Sequence, residues 1–161
     1  MRRPLAAGLA LAVLTFAVDQ ASKAAVLAYF VDATVPRLRV VPGLDLVLVG
    51  NTGVSFGLFN KGFAWGPWIF SLVALAIVAV LVQALRRASR LLPVTGMGLI
   101  IGGAIGNLVD RIRLGSVVDF IDVHWGDWHW YVFNVADAAI CVGVALLLLD
   151  GLLTRPESPK A

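Results

Sequence analysis

The sequence predicts an all-α polytopic membrane protein of four transmembrane helices, with two sizeable loops on one side of the bilayer. Three observations lead there. Hydrophobic residues make up 60% of the 161-residue chain and charged residues 14%, against roughly 45–50% and about 25% in soluble domains. The apolar excess lies in four long runs, each near the roughly 20 residues that a spanning helix requires. The polar residues that interrupt those runs gather near one end of them, which is a pattern of function and not of a soluble core.

The spans run about 5–28, 67–85, 93–109 and 133–153, leaving outer loops at 29–66 and 110–132, a short link at 86–92 and a tail at 154–161, all within one membrane domain. The first span resembles a signal peptide, with Arg2 and Arg3 before an apolar run. The run continues through Asp19 and Lys23 without a small-residue cleavage site, so it is expected to stay as a helix. Arg2 and Arg3, Arg86, Arg87 and Arg90, and Arg155 and Lys160 fall on one side, seven basic residues against six on the other. The tally decides little, but three arginines crowd the short link, which makes that side cytoplasmic and puts both termini there. Trp65, Trp68, Trp125, Trp128 and Trp130 all fall on the opposite side, where aromatic residues anchor loops at the interface.

The net charge of +3 requires no nucleic-acid partner, because the basic residues sit beside apolar runs as topology demands. The single cysteine, Cys141, excludes a disulfide within one chain and is expected to be a small buried residue. In the first outer loop, "RLRVVPGLDLVLV" has two β-favouring runs around Pro42-Gly43 and predicts a hairpin. Asp32, Asp45 and Lys61 read as solvated loop charges. The second loop, "GSVVDFIDVHWGDWHWY", predicts a short extended piece followed by an aromatic interfacial stretch.

Ionisable side chains at membrane depth cost about 2.5–3.5 kcal/mol each on insertion scales, so they face protein or water and mark function. Asp19, Asp110 and Asp137 lie in the outer parts of spans one, three and four, and Asp119 lies just beyond span three. Helical spacing gives them company on shared faces: Asn134 with Asp137, Asn107 with Asp110 and Arg111, and Asp19 with Lys23. Gly98, Gly102 and Gly106 form a stripe of small residues that lets another helix approach span three closely.

Two carboxylates at close range share a proton, so that one can take a proton from water while the other polarises a carbonyl. Asp119 and Asp137 are the candidate pair, suited to amide hydrolysis without a metal, a cofactor or a covalent intermediate. The competing reading gives each aspartate a helix cap or a basic neighbour, and spacing alone does not choose. His124 and His129, with Asp122 and Asp127, are better read as interfacial polar residues than as metal ligands. Their i, i+5 spacing does not share a helical face. A small ion-coupled transporter would place its key carboxylate near the midplane, but the centre of span four lies near the uncharged Gly143. A purely structural membrane subunit would leave the outer Asp, Asn and Arg residues without a purpose.

Four blocks in order, "VDQASK" (18–23), "GNTGVSFG" (50–57), "GNLVDRIRLGSVVDF" (106–120) and "FNVADAAI" (133–140), resemble the lipoprotein signal peptidase family, also called signal peptidase II. Ser22 and Ser55 stand where Thr and Ala are frequent in the family, away from its catalytic positions. The resemblance implies four transmembrane helices with a small extracytoplasmic β-sheet, or cradle, and an interfacial helical loop in the Trp-rich segment. It implies an aspartic endopeptidase of the bacterial cytoplasmic (inner) membrane, with its site near the outer face; a monomer is expected because nothing in the sequence demands a partner. Its substrates would be prolipoproteins carrying a diacylglyceryl cysteine, cut just before that cysteine, with membrane lipids as its surroundings. Asp119 and Asp137 match the catalytic pair, and Asn51 and Arg111 match residues that hold the substrate backbone. Asp19, Lys23, Gly53, Asn107, Asp110 and Asn134 match positions that support the site.

Overall fold

A computed structural model describes residues 3–52 and 66–154. In chain order the elements are α1 (Arg3–Val31), β1 (Arg37–Val41), β2 (Leu44–Asn51), α2 (Gly66–Leu85), α3 (Leu91–Leu114), β3 (Val117–Trp125), β4 (Trp128–His129) and α4 (Val135–Leu153). All four helices are long and apolar enough to cross a membrane. Of the most apolar window in α3, 67% is buried, against 22% or less in the others, so α3 is the axis on which the other helices pack.

Glycine explains why α3 can hold that place. Along one of its faces, Gly98 lies against the backbone of Gly8, Gly102 against Ala12 and Thr15, and Gly106 against the Asp19 carboxylate, all on α1. On another face, Gly96 meets the carbonyl of Gly143 and Gly103 meets that of Ala136, both on α4. A Cβ at Gly98 would sit 2.7 Å from the Gly8 carbonyl oxygen. In a bilayer, where apolar burial does not drive helices together, such close backbone approach supplies packing in its place. Leu85, Val94, Met97, Ile101 and Ala12 form the apolar core at the end of the bundle away from the sheet.

α3 runs past its expected end near residue 109 and stops at Gly115, whose φ of 75° only glycine adopts readily and whose N–H donates to the Arg111 carbonyl. The chain then enters β3, the second strand from one edge of a four-stranded antiparallel sheet in the order β1-β2-β3-β4. The β1–β2 turn falls at Pro42-Gly43, with Gly43 at φ 85°. β2 pairs on its other side with β3, bringing Val49 opposite Asp119 and Asn51 opposite Val117. Phe133 bridges Ile121, so the entry to α4 is tied to the sheet, and the helix begins at Val135 rather than at Phe133.

Three local expectations change. The Trp-rich stretch is a β-hairpin, with Trp125 opposite Trp128 and Gly126 at φ 59° in the turn, rather than a helical piece. Alternating aromatic and β-branched residues favour a pleated strand, and the Gly-Asp pair closes it. Trp68, Trp125, Trp128 and Trp130 are all exposed, while Trp65 lies outside the described residues. Asp45 is buried, because β2 is flanked on both sides and Asp45 meets Arg37 from β1 at 2.7 Å and His124 from β3 at 3.4 Å. Cys141 is exposed, since α4 turns Ala136, Ile140, Gly143 and Leu147 toward α3 and leaves Cys141 off that face. Asp32 is exposed, and Lys61 lies outside the described residues.

Candidate active site

Two groups of carboxylates meet where one end of the bundle joins the sheet. The deeper group centres on Lys23, which is almost wholly buried. Its ammonium donates to Asp19 Oδ2 at 2.9 Å, to Asp110 Oδ2 at 2.8 Å and to Asn107 Oδ1 at 2.9 Å. A buried ion survives only when its remaining hydrogen-bonding capacity is filled. Here the Ala136 N–H donates to Asp19 Oδ1 at 2.9 Å, and the Val118 N–H donates to Asp110 Oδ2 at 3.1 Å. These bonds fasten α1 to the first turn of α4 and the end of α3 to the start of β3. Gln20 completes the group, donating to Asp110 Oδ1 at 3.0 Å and to the Gly106 carbonyl at 3.3 Å.

The second group is an amide ladder. Asn51 at the end of β2 donates to Asp119 Oδ2 at 2.8 Å, and Asn134 donates to Asp119 Oδ1 at 2.6 Å. Asn134 also donates to Asn107 Oδ1 at 3.1 Å, and Asn107 in turn donates to Asp137 Oδ1 at 2.7 Å. Asp119 and Asp137 are therefore linked through Asn134 and Asn107, while Asn107 also joins the ladder to Lys23. At the head of α4, Asn134 Oδ1 accepts from the Asp137 N–H at 2.9 Å and Asp137 Oδ2 accepts from the Asn134 N–H at 3.3 Å, a reciprocal cap. Asp137 thus takes part in the cap of its helix and in the ladder as well.

Asp119 is 1% exposed. Burial pushes its carboxyl above the usual carboxylate range, and the nearby Asp137 charge adds to this against the opposing pull of Asn51, Asn134 and Lys23. Arg111, one helical turn beyond Asn107, donates from Nη1 to the Asn107 carbonyl at 3.3 Å, and its guanidinium carbon lies 5.8 Å from the centre of the Phe70 ring. Its Nε is buried with no hydrogen-bond partner among the described residues.

A cleft of about 250 Å³ opens over Asp119, lined by Val49, Gly50, Asn51, Thr52, Tyr131 and Val132. A separate apolar groove of about 430 Å³ lies between α2 and α3, lined by Trp68, Leu72, Leu75, Leu108 and Ile112. Of the residues singled out in the sequence, Asp19, Lys23, Asn51, Asn107, Asp110, Asp119, Asn134 and Asp137 come together in one connected network, and Arg111 borders it. Gly53 lies outside the described residues. Gln20 was not singled out; its signal was its place between Asp19 and Lys23, which i, i+4 reasoning steps over. His124 and His129 stack on one another with ring centres 5.0 Å apart, away from the ladder, and His129 meets Asp122 at 2.9 Å. Among the described residues no group of three or more His, Cys, Asp or Glu is placed to hold a metal ion.

The chain is similar to known proteins over most of its length. The description of the family signal peptidase (SPase) II matches residues 11–153. The lipoprotein signal peptidase of Methylorubrum extorquens (strain PA1) is 46% identical over 155 residues, covering 95% of this chain and 90% of the relative. That of Nitratidesulfovibrio vulgaris (strain DP4) is 44% identical, covering 94% of this chain and 92% of the relative. A bacterial membrane enzyme solved by the in meso method at 1.9 Å superposes with a TM-score of 0.77 at 26% identity, covering 92% of this chain and 94% of that one. The chain belongs to the signal peptidase II family, the lipoprotein signal peptidases, and is a multi-pass membrane peptidase.

Proposed function

We propose that the chain is an aspartic endopeptidase that removes signal peptides from diacylglyceryl-modified bacterial prolipoproteins, cutting immediately before the lipidated cysteine. The observation that carries this reading is the amide ladder. It holds Asp119 and Asp137 by neutral donors, with Asp119 shifted toward its protonated form. A pair that shares one proton has both functions that amide hydrolysis needs. The ionised carboxylate takes a proton from water as its oxygen attacks the scissile carbonyl, and the protonated carboxyl donates to the carbonyl oxygen. When the tetrahedral intermediate collapses, the C–N bond breaks, the leaving amine takes the proton lifted from water, and the product carboxyl returns a proton to the second aspartate as its C=O re-forms. Asn51 and Arg111 hold the peptide backbone, and Asp19, Lys23, Asn107, Asp110 and Asn134 keep the pair in place. Gly53 belongs to the same supporting set by its match to the family pattern.

The lipid on the substrate accounts for the location of the pair. A diacylglyceryl cysteine keeps its scissile bond at headgroup level, beside the outer end of the helices, and the groove between α2 and α3 suits an acyl chain. The enzyme works as a monomer in the cytoplasmic membrane, with both termini cytoplasmic and the pair near the outer face. The positive charge of the link at 86–92 and the exposed tryptophans at the sheet end support that orientation.

Cleavage of a diacylated lipobox peptide by the wild type and by Asp119→Asn and Asp137→Asn tests the assignment. Both variants are expected to leave the lipid-modified precursor uncut while folding and inserting normally. Normal processing by either one would remove that aspartate from the reaction.

A further inference from the structure

A third cleft lies at the opposite end of the bundle, far along the helices from the aspartates. Leu81, Met97 and Leu147, from α2, α3 and α4, form an apolar wall that meets Arg87, Ser89 and Arg90 of the link across a space of about 610 Å³. The arginines of this link are not equivalent. Arg86 donates to Gln83 at 3.1 Å. Arg90 is held by Asp150 at 3.0 Å and by Thr154, which clamps the start of α3 to the end of α4. Arg87 is exposed on the rim of the cleft and has no acidic partner among the described residues. Beside it, α3 starts at Leu91 without a side-chain cap, and with Pro93 lacking an N–H and the Val94 N–H bonded to the Arg90 carbonyl, the N–H groups of Leu91 and Leu92 are left without a capping side chain.

We propose that this cleft binds one anionic phospholipid from the surrounding leaflet, its phosphate on Arg87 and its first methylenes against Leu81, Met97 and Leu147. The site combines an exposed arginine without an acidic partner among the described residues, an uncapped helix start and an apolar wall, which together match a lipid and not a free anion. Basic pockets between transmembrane helices on the cytoplasmic side bind acidic headgroups for this reason. A zwitterionic lipid would bring its ammonium toward Arg87, so the charge of the site selects against it. The bound lipid would bridge α2, α3 and α4 at the end of the bundle that the sheet does not reach.

The purified protein in a neutral detergent, given phosphatidylglycerol or phosphatidylcholine and read by native mass spectrometry, tests this. Phosphatidylglycerol is expected to be retained about fivefold better, the factor that one basic residue contributes at an anionic surface. Arg87→Ala should reduce its retention to that of phosphatidylcholine, and Arg87→Lys should keep most of it. Ser89→Glu, which adds a carboxylate to the cleft, should give the same loss by a second route. Equal retention of both lipids, undiminished retention by Arg87→Ala and Ser89→Glu, or equal occupancy by inorganic phosphate alone would overturn the assignment.

Discussion

The two carboxylate groups in this molecule lie side by side and share Asn107, yet their partners differ in kind. Asp19 and Asp110 are held by a cation, Lys23, together with backbone N–H groups. Asp119 and Asp137 are held by the amides of Asn51, Asn134 and Asn107. A buried cation needs its partners in place, because removing one would leave its charge uncompensated. An amide donor stabilises a carboxylate without demanding that it stay charged. The first arrangement suits a support for the site, and the second suits the proposed role of Asp119 and Asp137 as a pair that shares a proton. Composition alone does not separate them; the nature of the donor does.

The comparison breaks most visibly if the two groups respond alike to mutation. Asp119→Asn or Asp137→Asn is expected to lower kcat by about 10²–10⁴-fold, the usual contribution of a positioned acid or base, with little change in thermal midpoint. Lys23→Met should do the reverse in emphasis. It strands two buried carboxylates, and breaking a buried pair in this way costs about 3–5 kcal/mol, read as a large fall in thermal midpoint. A Lys23→Met protein as stable as the wild type would mean that Asp19 and Asp110 are not held by the cation, and the distinction would fail.

Much of this division was legible in the sequence, and the parts that were not share a cause. The i, i+3 and i, i+4 relations of Asn107, Asp110, Asn134 and Asp137 are fixed by helix geometry, so local spacing revealed their faces. The Gly98, Gly102 and Gly106 stripe was visible for the same reason. Asp45 was not: its burial depends on β3, more than 70 residues away, pairing on the far side of β2 and setting Asp45 opposite Asp122. Gln20 escaped because its partners Gly106 and Asp110 are on another helix. The Trp-rich hairpin was within reach, since Gly126-Asp127 is a turn signal, but aromatic residues also mark interfaces and that reading prevailed. What local periodicity encodes can be read directly; what depends on non-local pairing cannot.

A smaller effect probes the scaffold that sets the two groups side by side. Gly98→Ala would put a methyl 2.7 Å from the Gly8 carbonyl, backbone that cannot rotate away. Overpacking of this kind costs about 1–3 kcal/mol, and separating α1 from α3 should lower stability and activity together. A loss of stability without a loss of activity would show that the position of Asp19 is not transmitted to the pair.

The smallest expected effect is the sharpest test of how the amides act. The Asn51 bond favours the ionised form of Asp119, opposing burial and the Asp137 charge. Asn51→Ala removes that opposition, so the Asp119 carboxyl rises further and keeps its proton to higher pH. A protease that needs one shared proton loses activity on the alkaline side as that proton leaves. The alkaline limb of kcat/KM should therefore move to higher pH in Asn51→Ala, in addition to any fall in the maximum. A purely structural Asn51 would lower the maximum and leave the limb where it was. A limb that moved to lower pH would show that Asn51 favours the protonated carboxyl, and the ladder would then act as a proton clamp and not as a neutral support.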